Sequence, residues 1–301
     1  MRVLITGATG FIGRHLVARL QTDHEIYALV RRLPTQPHPA VRYLQQDLTA
    51  PLNRDLLPTH LDAIIHQAAV IDTPAVDDAT PFLVNVVATW RLLNYAAQAQ
   101  VRTFLHASTG GVYGCRNRPF HESDPHNPLD LYSLTKAQAE LAVQSAPGTF
   151  SKIILRYFFP YGPGTPNPIP SYIQRAVTGA TIPIPEGGGP HFNPIHIDDA
   201  VEATVRALAL QGEHILNIAG TAITTFREIA QQAAQLVGRT AEIEEVPLAV
   251  TIPYYRADFV AATEQMAELL HFRPKISLAT GIGELVGASA NVVVAPDKSG
   301  S

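Results

Sequence analysis

Six short runs of largely apolar residues recur through the first half of the chain, at 2–6 (RVLIT), 25–30 (EIYALV), 41–45 (VRYLQ), 62–66 (DAIIH), 102–107 (RTFLHA) and 152–157 (KIILRY). Between them lie segments whose apolar positions are spaced three and four apart, at about 11–21, 79–99 and 131–146. Short runs without polar alternation predict strands covered on both faces, and the three-and-four spacing predicts helices that cover them. Strands joined by helices through right-handed crossovers make a doubly wound parallel sheet, an α/β fold.

The texture changes after residue 157. Residues 158–170 (FFPYGPGTPNPIP) and 182–195 (IPIPEGGGPHFNPI) are rich in Pro and Gly and predict surface loops. A strand is predicted at 214–218 (HILNI) and a capped helix at about 225–237. The expected organisation is a nucleotide-binding domain at 1–165 plus about 194–220, a smaller substrate-binding cap at 166–193 and 221–287, and a tail at 288–301. The stretch NVVVAPDKSGS (291–301) shows no helical pattern.

Composition narrows the classes. The chain of 301 residues is 46% hydrophobic and 16% charged, values of a globular protein with a sizeable core. A net charge of −4 lacks the basic footprint of a nucleic-acid binder. No apolar run approaches the roughly 20 residues of a membrane span, and no signal peptide is evident. A single cysteine, Cys115, fits a reducing compartment, so a cytoplasmic location is expected.

The first strand runs straight into GATGFIG at 7–13. Gly7 permits a tight turn, Gly10 lets the backbone approach a pyrophosphate, and Gly13 allows close helix packing. Phe11, Ile12, Leu16 and Leu20 then form the apolar face of the helix. Phosphates favour such a helix start, where unpaired N–H groups and the dipole meet negative charge. The second strand selects the dinucleotide. It ends ALVRR, with Val30 where a ribose-binding carboxylate would sit, followed by Arg31 and Arg32. Two guanidiniums suit a 2′-phosphate, so NADP(H) is preferred and NAD(H) is the alternative.

YSLTK places Tyr132 and Lys136 four apart, on one face of a helix. An ammonium beside a phenol favours the phenolate and makes the tyrosine a usable acid and base. Upstream, HASTGGVYG sets the Ser108 and Thr109 hydroxyls at the carboxyl edge of the sheet, where open α/β sheets bind ligands.

Together these motifs resemble the extended short-chain dehydrogenases/reductases, the NAD-dependent epimerase/dehydratase family. The resemblance covers about residues 1–285 and rests on GATGFIG, Asp47-Leu48, HQAA (66–69), Asn85 in NVVAT, STGGVYG (108–114), YSLTK, LRYFFPYGPG (155–164) and PIHIDDAV (194–201). It implies a Rossmann domain with a C-terminal cap. It makes Thr109, Tyr132 and Lys136 catalytic, with Lys136 also holding the nicotinamide ribose. Gly7, Thr9, Gly10, Phe11, Ile12 and Gly13 would surround the cofactor phosphates. Asp47 and Leu48 would lie beside the adenine, Ala68 and Ala69 along the cofactor's middle, and Tyr157 and Phe158 over the nicotinamide. Asn85 would stand on a nearby helix in a partly structural role.

Departures from the family pattern narrow the activity. Gly110 and Gly111 replace the Asp and Glu that eliminate water in the dehydratases. Phe159 stands in place of an Asn, and His191, Phe192 and Asn193 where an Arg is usual, both residues that meet a sugar-nucleotide diphosphate. Phe159, Tyr161, Ile169, Tyr172, Phe192, Tyr254 and Tyr255 remain as an apolar pocket wall. The first expectation is NADP(H)-dependent reduction of a small ketone or aldehyde. The alternatives are a sugar-nucleotide 4-epimerase and a cofactor-sensing regulator. The family also implies a homodimer through helices 82–99 and 131–146. No metal spacing occurs among the histidines, and His66 and His106 are expected to be satisfied structural residues. Asp198 and Asp199 are expected to cap a helix.

Overall fold

The computed structural model describes residues 1–71, 79–247 and 257–293, with side chains through 289. The Rossmann half contains β1 (Arg2–Thr6), α1 (Phe11–Leu20), β2 (Glu25–Val30), β3 (Val41–Gln45), β4 (Ala63–His66), α2 (Thr80–Phe82), a π-helical turn (Leu83–Val87), α3 (Ala88–Gln98), β5 (Thr103–Thr109), α4 (Leu131–Ser145) and β6 (Ser151–Tyr157). There follow β7 (Pro160–Tyr161), α5 (Ile169–Thr178), β8 (Ile182–Pro185), β9 (Ile195–His196), α6 (Ile197–Ala207), β10 (Glu213–Ile218), α7 (Phe226–Leu236), β11 (Ile243–Val246), α8 (Glu264–Leu269) and α9 (Leu278–Val293).

Seven strands form one sheet in the order β10-β6-β5-β4-β1-β2-β3, every pair parallel. Successive residues of β1 alternate between faces, as the strand period requires. Val3 and Ile5 join the core under α1 and α6, whereas Leu4 joins Ile64, Leu92 and Phe104 under α3 and α4. From β1 the strands are added outward to β3 on one side and, from β4 on, outward on the other, so the order of addition reverses between β1 and β4 and a crevice opens beyond their carboxyl ends.

The cap has its own core. Phe158, Ile173, Ile182, Phe192, Phe226 and Ile282 are buried together where α5, α7 and α9 meet. The proline- and glycine-rich stretches are more ordered than their composition predicts. They contain β7, β8 and β9, and β8 pairs in parallel with β11. The glutamates of β11 face solvent. The expected tail boundary at 288 is also displaced, because α9 runs unbroken to Val293. Its small residues obscure the helical pattern, and burial of Ile282, Leu285 and Val286 against the cap holds it. Residues 294–301 lie outside the described residues, as do Tyr254 and Tyr255. Among the described residues no helix is long and apolar enough to cross a membrane.

Candidate active site

A cleft of about 570 Å³ lies over the carboxyl ends of β1, β4, β5 and β6. Its floor is the glycine loop (Gly7, Gly10, Phe11, Ile12, Gly13), and Gln67, Ala69, Thr109, Tyr132 and Tyr157 also line it. Gly7 has φ +67°, and a Cβ there would stand 2.6 Å from the Ala68 nitrogen. A Cβ on Gly13 would overlap the Gly7 carbonyl, so the loop closes onto its own helix. A Cβ on Gly10 would meet only the Gly7 oxygen, at 3.2 Å, which leaves room on the cleft side. Gly10 caps α1 without any side-chain hydrogen bond, and the first turn carries no acidic residue. The cradle and its helix start thus fit a dinucleotide pyrophosphate.

Arg31 and Arg32 are exposed just beyond β2. Asp47 is exposed, and its carboxylate accepts from the Thr49 N–H (2.9 Å) and hydroxyl (2.8 Å), which lower its pKa. Leu48 is buried in the sheet core, and Thr9 is exposed on the turn. The loop after β4 is held from behind. The Ala68 N–H donates to the Thr6 hydroxyl (3.1 Å), and that hydroxyl meets His66 Nδ1 (2.6 Å). Asn85 does not reach the cleft. It is fully buried, and its amide clasps both backbone groups of Val70 (2.8 and 2.9 Å) and the Thr135 hydroxyl (2.9 Å).

On the α4 side of the cleft, Asp130 caps α4 by accepting from the Ser133 N–H (2.6 Å), and the helix starts one residue before Tyr132. Tyr132 faces the cleft. Thr109 Oγ1 accepts from the Gly111 N–H at 3.1 Å, and among the described residues no group accepts its hydroxyl hydrogen. Lys136 lies one turn behind Tyr132 and is only 1% exposed. Burial pushes its pKa down to about 7, against the opposing charge of Glu140.

Ser108 and Phe158 also depart from their expected roles. The Ser108 hydroxyl bonds Glu140 rather than waiting for substrate. Phe158 does not line the cleft; it is fully buried and its ring lies where a Gly110 Cβ would be, 2.5 Å away. The backbone turns left-handed at Phe159 (φ 42°), and it is Phe159, with Phe259, that lines the cleft. The Phe158 ring also gives the physical reason for Gly110, since no side chain fits there. Of the other expected pocket residues, Tyr161, Ile169 and Phe192 are buried in the cap core, and Tyr172 packs against it. Phe192 packs against Phe159 with ring centres 4.7 Å apart and the rings tilted by 41°. Tyr157 lends its ring to the cleft, while its hydroxyl bonds Thr204 (2.7 Å) and Gln67 (3.1 Å) and burial pushes its pKa up to about 12.

Some residues that shape the site carry no motif. Arg14 leaves α1 to donate to the carbonyls of Pro163 and Gly164 (3.0 and 3.1 Å), fastening the rim loop whose Thr165 and Asn167 line the cleft. Beneath the floor, Glu140 accepts from Arg156 Nη2 (2.6 Å) and bonds His126 (2.9 Å). Burial alone would raise the Glu140 pKa, but His126, Arg156 and Ser108 together hold it at about 2. His196, not an aspartate, caps α6, and Asp199 instead accepts from the backbone N–H groups of Lys275 and Ile276 (3.0 and 2.8 Å). Among the described residues no cluster of three metal-ligating side chains occurs.

Known proteins give this geometry a family. A profile described as the NAD dependent epimerase/dehydratase family matches residues 3–219. The UDP-glucose 4-epimerase of Mycolicibacterium smegmatis is 31% identical over 310 residues, spanning 95% of this chain and 97% of that protein. The dTDP-glucose 4,6-dehydratase of Mycobacterium tuberculosis is 33% identical over 230 residues, 69% of each chain. The structure of MoeE5 in complex with UDP-glucose and NAD superposes with a TM-score of 0.80 at 28% identity, covering 97% of this chain and all of that one. The UDP-glucose 4-epimerase of Thermus thermophilus in complex with NAD has a TM-score of 0.78 at 26% identity, covering 96% and 99%. A glycine cradle, a hydroxyl and a tyrosine at one cleft, and full-length likeness to such enzymes, converge: the chain belongs to the NAD-dependent epimerase/dehydratase family of extended short-chain dehydrogenases/reductases, enzymes that work with a nicotinamide cofactor.

Proposed function

We propose that the protein is a nicotinamide-dependent epimerase that inverts a carbinol carbon of a nucleotide-linked sugar by transient oxidation. The observation that carries this reading is the convergence of Thr109 and Tyr132 on the glycine-floored cleft with Lys136 directly behind. Full-length likeness to a UDP-glucose 4-epimerase supports it over net reduction. The glycines at 110 and 111 argue against dehydration, which needs an acid and a base at those positions.

Thr109 donates its hydroxyl hydrogen to the substrate oxygen and orients it toward Tyr132. Tyr132 removes the hydroxyl proton as the alcohol becomes a ketone, then returns it once the opposite face is presented. The Lys136 ammonium favours the phenolate between those two transfers. A bound nicotinamide dinucleotide would supply the hydride acceptor and donor for that carbon. Gly10 and the start of α1 hold the pyrophosphate.

A second reading, NADP(H)-dependent reduction of a small apolar carbonyl compound, is favoured by Arg31, Arg32 and the Phe159 wall. Cofactor traffic separates the two. An epimerase purifies with tightly held cofactor and needs none added, whereas turnover that consumes stoichiometric NADPH establishes the reductase and ends the first reading. The choice of dinucleotide has its own measurement. If Arg31 and Arg32 hold a 2′-phosphate, replacing both by alanine weakens NADPH about 10- to 100-fold and leaves NADH affinity unchanged. Equal losses for both cofactors refute that assignment.

We further infer a homodimer through α3 and α4. Leu134 and Leu141, two turns apart on one face of α4, are 39% and 54% exposed, and Trp90 on α3 is 42% exposed. Sedimentation is expected to give twice the chain mass, and Leu141→Glu to shift it to the monomer. A monomeric parent protein rejects the assembly.

A further inference from the structure

The Lys136 side chain does not line the cleft; it is buried behind it, against β5. Its Nζ lies 3.2 Å from Nε2 of His106 on β5, and both residues are fully buried. A buried ammonium needs acceptors for its hydrogens, and a neutral imidazole nitrogen is one.

The neighbouring histidine shows how its own hydrogens are placed. Thr89 donates to the Asn85 carbonyl (2.7 Å), so its oxygen accepts from His66 Nε2 (2.9 Å). His66 Nδ1 then accepts from Thr6. The ring is neutral and bonded at both nitrogens, with burial driving its pKa down to about 3. His106 differs. Its ring centre lies 5.4 Å from that of His66, and its Nδ1 is buried with no partner among the described residues. An unpaired polar atom in a sheet interior is costly, and among the described residues the ring's one hydrogen-bond contact, at Nε2, is the lysine.

We propose that His106 is a positioning residue for Lys136: its Nε2 lone pair accepts an N–H of the ammonium and holds that cation behind Tyr132, while Nδ1 carries the ring hydrogen. The inference rests on reading Tyr132 and Lys136 as the proton-transfer pair. The groups around Lys136 are consistent with it. Tyr132 and Glu140 share its helix, His106 and His66 face it from the sheet, and Arg156 and Tyr113 stand behind Glu140. From the π-helical turn comes the uncharged Asn85. Burial, Lys136 and His66 all oppose a charge on His106, so the ring stays neutral and able to accept. The arrangement balances two demands. The site is dry enough to bring the lysine pKa near 7, the charge of Glu140 opposes that fall, and the imidazole lone pair adds an acceptor for the ammonium.

The test needs no substrate. The chain has four lysines, Lys136, Lys152, Lys275 and Lys298, so ¹³Cε signals of lysine-labelled protein can be assigned by single Lys→Arg variants. His106→Phe removes the acceptor, and the Lys136 titration is expected to move down by about one pH unit or more. His106→Gln, which offers an amide oxygen, is expected to restore it close to the parent value. His106→Leu serves as a second removal where the phenyl ring does not fit. In the unaltered protein, long-range ¹⁵N–¹H spectra should show His106 with its hydrogen on Nδ1. A Lys136 titration that is unmoved or raised in the folded Phe or Leu variant overturns the proposal, and so does a ring hydrogen on Nε2. None of these readouts depends on turnover, so their failure is distinct from failure of the epimerase reading.

Discussion

Tyr132→Phe is expected to lower turnover by about 10³-fold while leaving cofactor affinity within about twofold of the parent. The phenol is the group at the cleft that can both take and return a proton beside Thr109. Phenylalanine keeps the ring and its packing but has no proton to move. The loss should therefore fall on kcat, with little change in nucleotide binding measured by fluorescence or calorimetry. Turnover retained within tenfold removes Tyr132 from the chemistry. A parallel collapse of cofactor affinity instead shows that the residue serves the fold of the cleft.

Arg156→Leu is expected to cost about 3–5 kcal/mol of folding stability, read as a large drop in the denaturation midpoint. Glu140 and Arg156 are both buried to within 2% exposure, and Arg156 also donates to the Tyr113 hydroxyl (2.6 Å) and the Glu122 carbonyl (3.1 Å). Removing the guanidinium strands a carboxylate in the interior. Replacing both charges, as Glu140→Gln with Arg156→Met, should cost less than the single change, because no lone buried charge remains. The pair also makes stability depend on acidity. Glu140 has a folded pKa of about 2 against 4.5 unperturbed, so on acidification the unfolded chain takes up the proton first. Its stabilisation is complete above about pH 4.5 and disappears as pH falls toward 2. Arg156→Leu should raise the folded pKa and weaken that acid dependence. A single variant as stable as the parent, with the same acid profile, refutes this account.

The pair also bears on the chemistry, because Ser108 adjoins Thr109 and is tied to Glu140, one turn beyond Lys136. The residues at the cleft are thus anchored in a buried polar network that no short motif announces. Arg156 reads as one polar position in an apolar strand, and Glu140 as one polar residue on a helix. Only the pairing of β5 with β6, and the packing of α4 across them, brings these charges together.

What the chain encodes locally was legible before folding. Strands β1, β2 and β3 lie at the residues the apolar runs predict, and β6 begins one residue earlier than its run. The turn at Gly7 and the start of α1 follow from glycine's freedom at positive φ and the helix period. Tyr132 and Thr109 face one cleft because each stands at the end or start of an element that a parallel sheet aligns on one edge. Side-chain direction after those elements was not legible. One left-handed residue, Phe159, sends Phe158 into the cap and takes the wall position for itself. Asn85 turns inward to Val70, and α9 becomes a helix because its few apolar residues find a buried face. Periodicity and backbone preference act over a few neighbouring residues and can be read along the chain. Burial, partner choice and the surroundings of Lys136 depend on residues remote along the chain, His106 lying 30 positions away, which only the folded molecule brings within reach.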